Sequence, residues 1–470
     1  MNFYSFFTDI KIMAGIGFRL RKIMDAPSLA NLLRAYGYAA IIGSGPLIMS
    51  IASLGAIALL LGALRDGEVF KLFFSSVTYI YCFSLIATGP VQLVLVRFGA
   101  DCHYLGEKNK IFPFLLSSLA LVTPIVSLLS LVFFVGFVPA SIWFQLGASF
   151  LCMLISSIWL VSSYLTAMKN YHRVLICFAM GYTGSLAGGW GCSKYLGHDW
   201  VMFGFALGHM LLLISLLISL YLELEVKKII SVEFLASFKK YADLAIIGLL
   251  YNLGIWSDKI LFWFLGPTRE NISGLIYVMP IHDQAVYLGF LSIIPGMAVF
   301  LLRLETDFAR HYERYYKQIQ QKATLTTIHQ NKVNMEKSLT AGLIKLIKIQ
   351  GLTTLVLVLF TEQISSLINL GSLQEGVFRM ILLGSFLLVL FLSCMTVLFY
   401  LDKRKDVLIA CLIFFLFNTI TTLFTIHLGE AYYGLGFALG AALAFFYTAA
   451  RINRHLEQLE YNTFALQPIY

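Results

Sequence analysis

Apolar runs of about 20 residues recur twelve times along this 470-residue chain, and a water-soluble core has no use for so many. They fall at about 32–64, 72–96, 111–137, 141–166, 171–194, 201–222, 242–265, 275–302, 343–367, 376–400, 406–427 and 431–450. A soluble domain would carry roughly 25% charged residues. This chain carries 13%, against 59% hydrophobic residues. Runs of this length predict helices, because barrel strands need only about 10 residues and alternate strictly. The chain therefore reads as an all-α integral membrane protein with about 12 transmembrane helices. The first apolar stretch is followed by eleven more, so it is not read as a removable leader.

Lys and Arg in the connections set the orientation. With the N-terminus inside, the inner connections hold 25 of them and the outer ones five: Arg65, Lys71, Lys194, Arg269 and Arg379. Both termini are expected in the cytoplasm, the chain crossing the membrane many times. The net charge of +9 then lies beside anionic headgroups and calls for no nucleic acid.

The seven cysteines stand singly, without a CxxC pair, which supports neither a zinc site nor a disulfide framework. Neither HExxH nor a Walker A loop occurs, so an ATP-driven pump is not supported. No cofactor and no metal site is expected.

The polar segments suggest the organisation. Residues 1–31 form a cytoplasmic N-terminal segment, 32–222 a lobe of spans one to six, and 223–240 a cytoplasmic linker. Residues 241–450 form a second lobe of spans seven to twelve, and 451–470 a cytoplasmic tail. The loop at 303–338, with DFARHYERYYKQIQQK at helical spacing, predicts a cytoplasmic helix at or near the membrane surface. Two halves with the same inside/outside pattern fit a duplicated transporter architecture.

Breaks within the spans mark where a helix could move. Residues 13–50 run from the basic MAGIGFRLRK into an apolar span interrupted by Gly43-Ser44-Gly45-Pro46. A proline lacks an amide proton and crowds the carbonyl four residues back, so the span should bend there. Gly45 and Pro46 in span one, Gly89 and Pro90 in span two, and Pro280 and Pro295 in span eight are the candidate hinges.

Polar residues at membrane depth are the candidates for chemistry. In span seven, Asn252, Trp256, Lys259 and Trp263 share one helical face, and Asp258 lies beside Lys259. Neighbours on a helix do not face each other, so these two need not pair. Lys259 either lines a cavity between indoles or snorkels outward from a packed aromatic face. In span eight, His282, Asp283 and Gln284 lie level with Asp258, about 12 Å from the outer end at 1.5 Å per residue. Lys259 or His282 is therefore expected to meet a carboxylate of the facing span. In span two, Ser84, Thr88 and Gln92 make a polar stripe that either faces substrate or bonds to its own helix. Arg34, Arg97, Arg303 and Glu305 stand near inner ends, as anchors or as an inner mouth. His209, alone in span six, reads as a histidine satisfied by a neighbouring helix.

Four stretches, MAGIGFRLRK, LRAYGYAAIIGSGP, YNLGIWSDKILFWF and LLRLETDFARHYERYY, resemble the Pel exopolysaccharide transporter family (PelG), in the family's order. The resemblance covers Met13 to about Arg454. Family members begin near MAGIGF, so either Met13 is the start or the first twelve residues are a private extension. The resemblance implies the multidrug/oligosaccharidyl-lipid/polysaccharide (MOP) exporter superfamily. It implies two six-helix bundles around a central cavity lined by spans one, two, seven and eight. It implies export of a nascent, N-acetylhexosamine-rich polysaccharide across the bacterial inner membrane, by alternating access or as a gated conduit, without enzymatic activity. The implied partners are a cytosolic glycosyltransferase and small membrane subunits of a secretion complex. Alternatives are a lipid-linked oligosaccharide flippase or multidrug antiporter, and a structural subunit that docks the glycosyltransferase. A membrane-embedded transferase would need a sizeable extracytoplasmic loop, and the outer connections are short.

Overall fold

The computed structural model describes residues 29–62, 67–167, 171–224, 233–368 and 370–465. The basic segment at 13–22, both candidate start methionines and residues 225–232 of the linker lie outside the described residues. The described chain is almost entirely helical. The first six long helices are α1 (Leu29–Gly62), α2 (Gly67–Tyr104), α3 (Ile111–Phe137), α4 (Ile142–Ala167), α5 (Tyr171–Tyr195) and α6 (Val201–Tyr221). The short α7 (Glu233–Lys240) leads into α8 (Ala242–Leu265). A β-hairpin follows, β1 (Glu270–Ser273) and β2 (Ile276–Val278), then α9 (Pro280–Leu291) and α10 (Ile294–Leu302). Next come α11 (Ala309–Gln320), α12 (Leu325–Leu359), α13 (Thr361–Ile368), α14 (Ser372–Tyr400), α15 (Arg404–Leu428), α16 (Leu435–Glu457) and α17 (Leu459–Phe464).

Among the described residues, ten helical segments are long and apolar enough to cross a membrane, and the bent pair within α1 makes eleven. The twelfth helix of crossing length is α5, 25 residues long, whose GYTGSLAGGWG run makes it less apolar than the others. The fold is an all-α, twelve-helix membrane architecture.

Two compact units divide the chain, and the division falls inside three helices, α1, α8 and the first turn of α9. One unit holds Ser44–Asn252 and Phe262–Pro280; the other holds Leu253–Leu261, Ile281–Tyr470 and the part of α1 before Ser44. The described parts of the segment 223–240, residues 223–224 and α7, lie within the first unit. In α1, Arg34–Pro46 and Ile48–Ile57 meet at 61°, the bend that a missing amide at Pro46 would give.

The first unit is built on close backbone approaches. A Cβ on Gly248 of α8 would sit 2.1 Å from the carbonyl oxygen of Gly89 in α2, and one on Gly89 would sit 2.6 Å from that of Gly248. Only glycine lets the two helices cross at that separation, as in other membrane helix pairs that pack on small residues. Gly188 of α5 and Gly204 of α6 meet in the same way, at 2.3 and 2.2 Å.

The β-hairpin corrects the expected start of span eight at residue 275. Gly274 turns it with φ +56°, a conformation glycine adopts without strain. Leu275 N–H donates to Phe137 O at 3.1 Å, and Ser273 Oγ to Pro139 O at 3.0 Å. The Tyr79 hydroxyl donates to Tyr277 O and accepts from Tyr277 N–H, at 2.9 and 3.0 Å. Pro280 is thus the first residue of α9 and not an interior kink; its missing N–H costs nothing in a helix's first turn.

In the second unit, α10 runs through a π-helical turn, Arg303–Phe308, into α11. The segment at 303–338 is helical, but its aromatic face is not left for lipid. Tyr312, Tyr315 and Tyr316 are buried in protein, and the Tyr312 hydroxyl donates to Tyr400 O at the end of α14. Val299, Leu346, Val389 and Leu390 form a core where α10, α12 and α14 meet.

Candidate functional site

Span eight breaks between α9 and α10, and the break is held by one side chain from α12. A regular helix would bond Gly296 N–H to Ser292 O, an i to i−4 pair. Instead the Gln350 amide stands between them. Its Oε1 accepts from Gly296 N–H at 2.9 Å, and its Nε2 donates to Ser292 O at 2.8 Å. Gln350 is fully buried. An inserted side chain of this kind is one of the recognised causes of a broken membrane helix. Pro295 sits in the first turn of α10, where its lost donor is harmless.

On the α9 side of the break lies a buried charged cluster. Asp258 and His282 are 0% exposed and Lys259 is 2% exposed. The Lys259 stem does not snorkel outward. It curls back so that Nζ lies 3.1 and 3.2 Å from the two Asp258 oxygens, and it donates to Ile255 O at 2.8 Å. The neighbouring residues thus pair despite their poor helical registry, because four methylenes give Lys the reach to bend. Around the ammonium stand the rings of Phe437 at 4.9 Å, Phe290 at 5.0 Å and Trp256 at 6.0 Å. From α9, His282 Nε2 lies 3.3 Å from Asp258 Oδ2, and its Nδ1 lies 3.6 Å from Asp283 Oδ1. From α15, Asn418 Nδ2 donates to Gly254 O at 2.8 Å and reaches Asp258 Oδ1 at 3.4 Å. Thr422 in turn donates to Asn418 Oδ1 at 3.2 Å.

Not every sequence candidate joins this cluster. Gln284 is exposed and accepts from Gln374 at 2.9 Å, because its neighbours His282 and Asp283 take the inward directions of α9's first turn. Trp263 is buried in the first unit, stacked on Tyr79 with ring centres 4.4 Å apart. Asn252 also belongs to that unit and donates to Gly248 O at 2.9 Å, beside the Gly89 crossing.

The α2 stripe is a ladder within the first unit. Thr88 donates to Ser84 O at 2.7 Å and Gln92 to Thr88 Oγ1 at 2.9 Å. Trp159 of α4 donates to Ser84 Oγ at 3.1 Å. The Tyr81 and Tyr182 hydroxyls meet at 2.9 Å, and Ser50 donates to Tyr81 at 3.1 Å. His209 pairs with Ser185 at 3.0 Å in the neighbouring α5.

The inner-end residues are mostly matched locally. Arg97 pairs with Asp101 at 3.2 Å and Arg303 with Asp307 at 2.8 Å, each an i, i+4 partner. Arg34 is exposed, and Glu305 is partly buried. Asp101 also draws in Lys240 at 3.7 Å and accepts from the Tyr241 hydroxyl. Burial, and then the Asp101 carboxylate, push the Tyr241 phenol above its usual value.

Sequence reasoning missed Asn418, Thr422 and Gln350. Each is one amide or hydroxyl in an apolar run; the NTITT sequence inside span eleven was the available signal for the first two.

A profile described as PelG, "Putative exopolysaccharide Exporter (EPS-E)", matches residues 13–464, nearly the whole chain. The chain belongs to the PelG family. Among curated proteins no sequence match is found. Solved structures supply the fold. One is an outward-facing multidrug resistance MATE family transporter of the MOP superfamily, at TM-score 0.59 and 14% identity, covering 89% of this chain and 96% of that one. An inward-facing multidrug resistance MATE family transporter matches at TM-score 0.59 and 14% identity, covering 89% and 99%. A MOP superfamily transporter from Pyrococcus furiosus matches at TM-score 0.62 and 12% identity, covering 96% and 99%. At these identities the likeness is one of fold, and that fold is the MOP transporter fold.

Proposed function

We propose that this protein exports a nascent exopolysaccharide across the bacterial inner membrane, with both termini in the cytoplasm. The observation that carries the reading is family membership over residues 13–464 on a fold solved, in other transporters, in both outward- and inward-facing conformations. The polymer is Pel-like and rich in N-acetylhexosamine. In this reading the chain cycles between two access states and performs no covalent chemistry.

The side chains support a path of many weak contacts. Tyr81, Trp159 and Gln92 are partly exposed beside the buried Ser84–Thr88 ladder, and they offer ring faces and an amide to a sugar chain. Weak, repeated contacts suit a polymer that must keep moving, since one tight site would stall it. The 61° bend at Pro46 and the break held by Gln350 are the points where the helices would flex. Residues 223–240 and 303–338, cytoplasmic in this reading, would meet the glycosyltransferase and small membrane subunits of a secretion complex.

Deleting the gene and restoring it on a plasmid tests the reading. Polymer should vanish from the medium on deletion while cytosolic synthesis persists, and should return with the wild-type gene. Undiminished secretion by the deletion strain would contradict it.

A further inference from the structure

Three cations come together on successive turns of α12. Lys345 and Lys348 are three residues apart, so they rise from one helical face a turn apart. Arg303 joins them from the π-helical turn before α11. It packs on Gly342, one turn before Lys345, where a Cβ would sit 3.3 Å from the Arg303 Cβ.

Like charges this close on a helix repel, unless an anion lies between them. Arg303 is partly answered, since its Nη1 donates to Asp307 at 2.8 Å. The lysines are not. Among the described residues neither pairs with a carboxylate, and Lys345 Nζ lies instead over the Tyr36 ring, 5.3 Å from its centre. The Tyr36 hydroxyl lies against the Arg303 guanidinium. One tyrosine of α1 thus bridges two of the three cations.

The residues around Lys348 show what this face meets. Ile344, Leu352 and Leu355 are exposed, and Lys348 is exposed among them. The spacing 344, 348, 352 and 355 is one helical stripe, and an exposed apolar stripe on a membrane helix lies against acyl chains. The apolar run begins at Leu343, so Lys345 and Lys348 stand about 3 and 8 Å beyond its start at 1.5 Å per residue. Helical side chains lean towards the helix N-terminus, and a lysine stem is long enough to carry its ammonium back to the headgroup level. In the orientation proposed above, that end of α12 is the inner one, beside the leaflet that carries anionic lipid.

We propose that Lys345, Lys348 and Arg303 form a binding site for one anionic phospholipid of the inner leaflet. Its phosphate oxygens accept from the two ammonium groups and the guanidinium, and its acyl chains lie along the stripe through Ile344 and Leu352. A free phosphate shares the headgroup chemistry; the exposed apolar stripe beside the cations is what assigns the site to a lipid. The site goes beyond polymer export, and it ties lipid composition to the junction of α10, the π-helical turn and α12.

Thermal unfolding of the purified full-length protein in neutral detergent tests it. Phosphatidylglycerol, phosphatidylcholine and inorganic phosphate are each titrated in. Phosphatidylglycerol should raise the wild-type midpoint saturably, and neither of the others should match it. The double variant Lys345→Gln/Lys348→Gln should weaken the apparent phosphatidylglycerol affinity about tenfold or more, because two basic contacts are lost. Arg314→Gln/Lys317→Gln, which removes two exposed charges from α11, should leave that affinity unchanged. An equal rise with phosphatidylcholine overturns the proposal, and an equal rise with inorganic phosphate overturns it in favour of a free anion. An equal loss in the α11 variant overturns it in favour of diffuse surface charge. Unchanged affinity in folded Lys345→Gln/Lys348→Gln overturns it too. The wild-type comparison and the α11 variant decide the matter even if the lysine variant fails to fold.

Discussion

Replacing Gln350 by Leu isolates what one inserted amide does for a broken membrane helix. The side chain is fully buried, and its two bonds, 2.9 Å from Gly296 N–H and 2.8 Å to Ser292 O, carry the two backbone groups of one missing helical bond. Leucine is near in volume but offers neither donor nor acceptor. Each buried backbone group left without a partner costs about 1–3 kcal/mol, so the pair together costs about 2–6 kcal/mol. Taking ~2 °C per kcal/mol for a chain this large, the thermal midpoint in detergent should drop by about 4–12 °C. The assay is the temperature at which purified protein loses its monodisperse peak. A Gln350→Leu midpoint within about 1 °C of wild type would refute the reasoning. It would mean that Ser292 O and Gly296 N–H close on each other once the amide is gone, and that the break is not enforced by its surroundings.

Three further substitutions test other parts of the structure. Gly248→Ala places a methyl 2.1 Å from Gly89 O, and forcing α2 and α8 apart should cost about 1–3 kcal/mol, read as a lower midpoint than Ala introduced at the open Gly55. Asp258→Asn strands the Lys259 ammonium and should cost about 3–5 kcal/mol, while the double variant Asp258→Leu/Lys259→Met should recover much of that; a double variant no better than Asp258→Asn would sink the pairing. Pro46→Ala should reduce the 61° bend and lower polymer export without lowering membrane insertion, measured as secreted polymer per membrane-resident protein.

Much of the frame was readable from apolar run length alone, because a backbone in lipid must satisfy itself and helices do so over a fixed span. Residue chemistry was readable where a charge stood out. Asp258, Lys259, His282 and Asp283 announce themselves in apolar spans, and the level matching of α8 with α9 brings His282 to Asp258 at 3.3 Å. The partners were harder. Lys259 turns back on Asp258 through a flexible stem that no helical wheel represents. Trp263 shares a wheel face with Lys259 but stacks on Tyr79, since contacts follow tertiary packing and not registry alone. The second strand of the 270–278 hairpin hid in the start of span eight, whose branched and aromatic residues look apolar enough for a span; Asn271, Ser273 and Gly274 were the punctuation before it.

Inverted membrane vesicles give the most direct test of the export reading. Vesicles carrying the polymer synthase, fed with nucleotide sugar from outside, should accumulate labelled polymer in the lumen, shielded from an added hydrolase, only when this protein is present. Polymer equally shielded without it, or fully digested with it, would contradict that account.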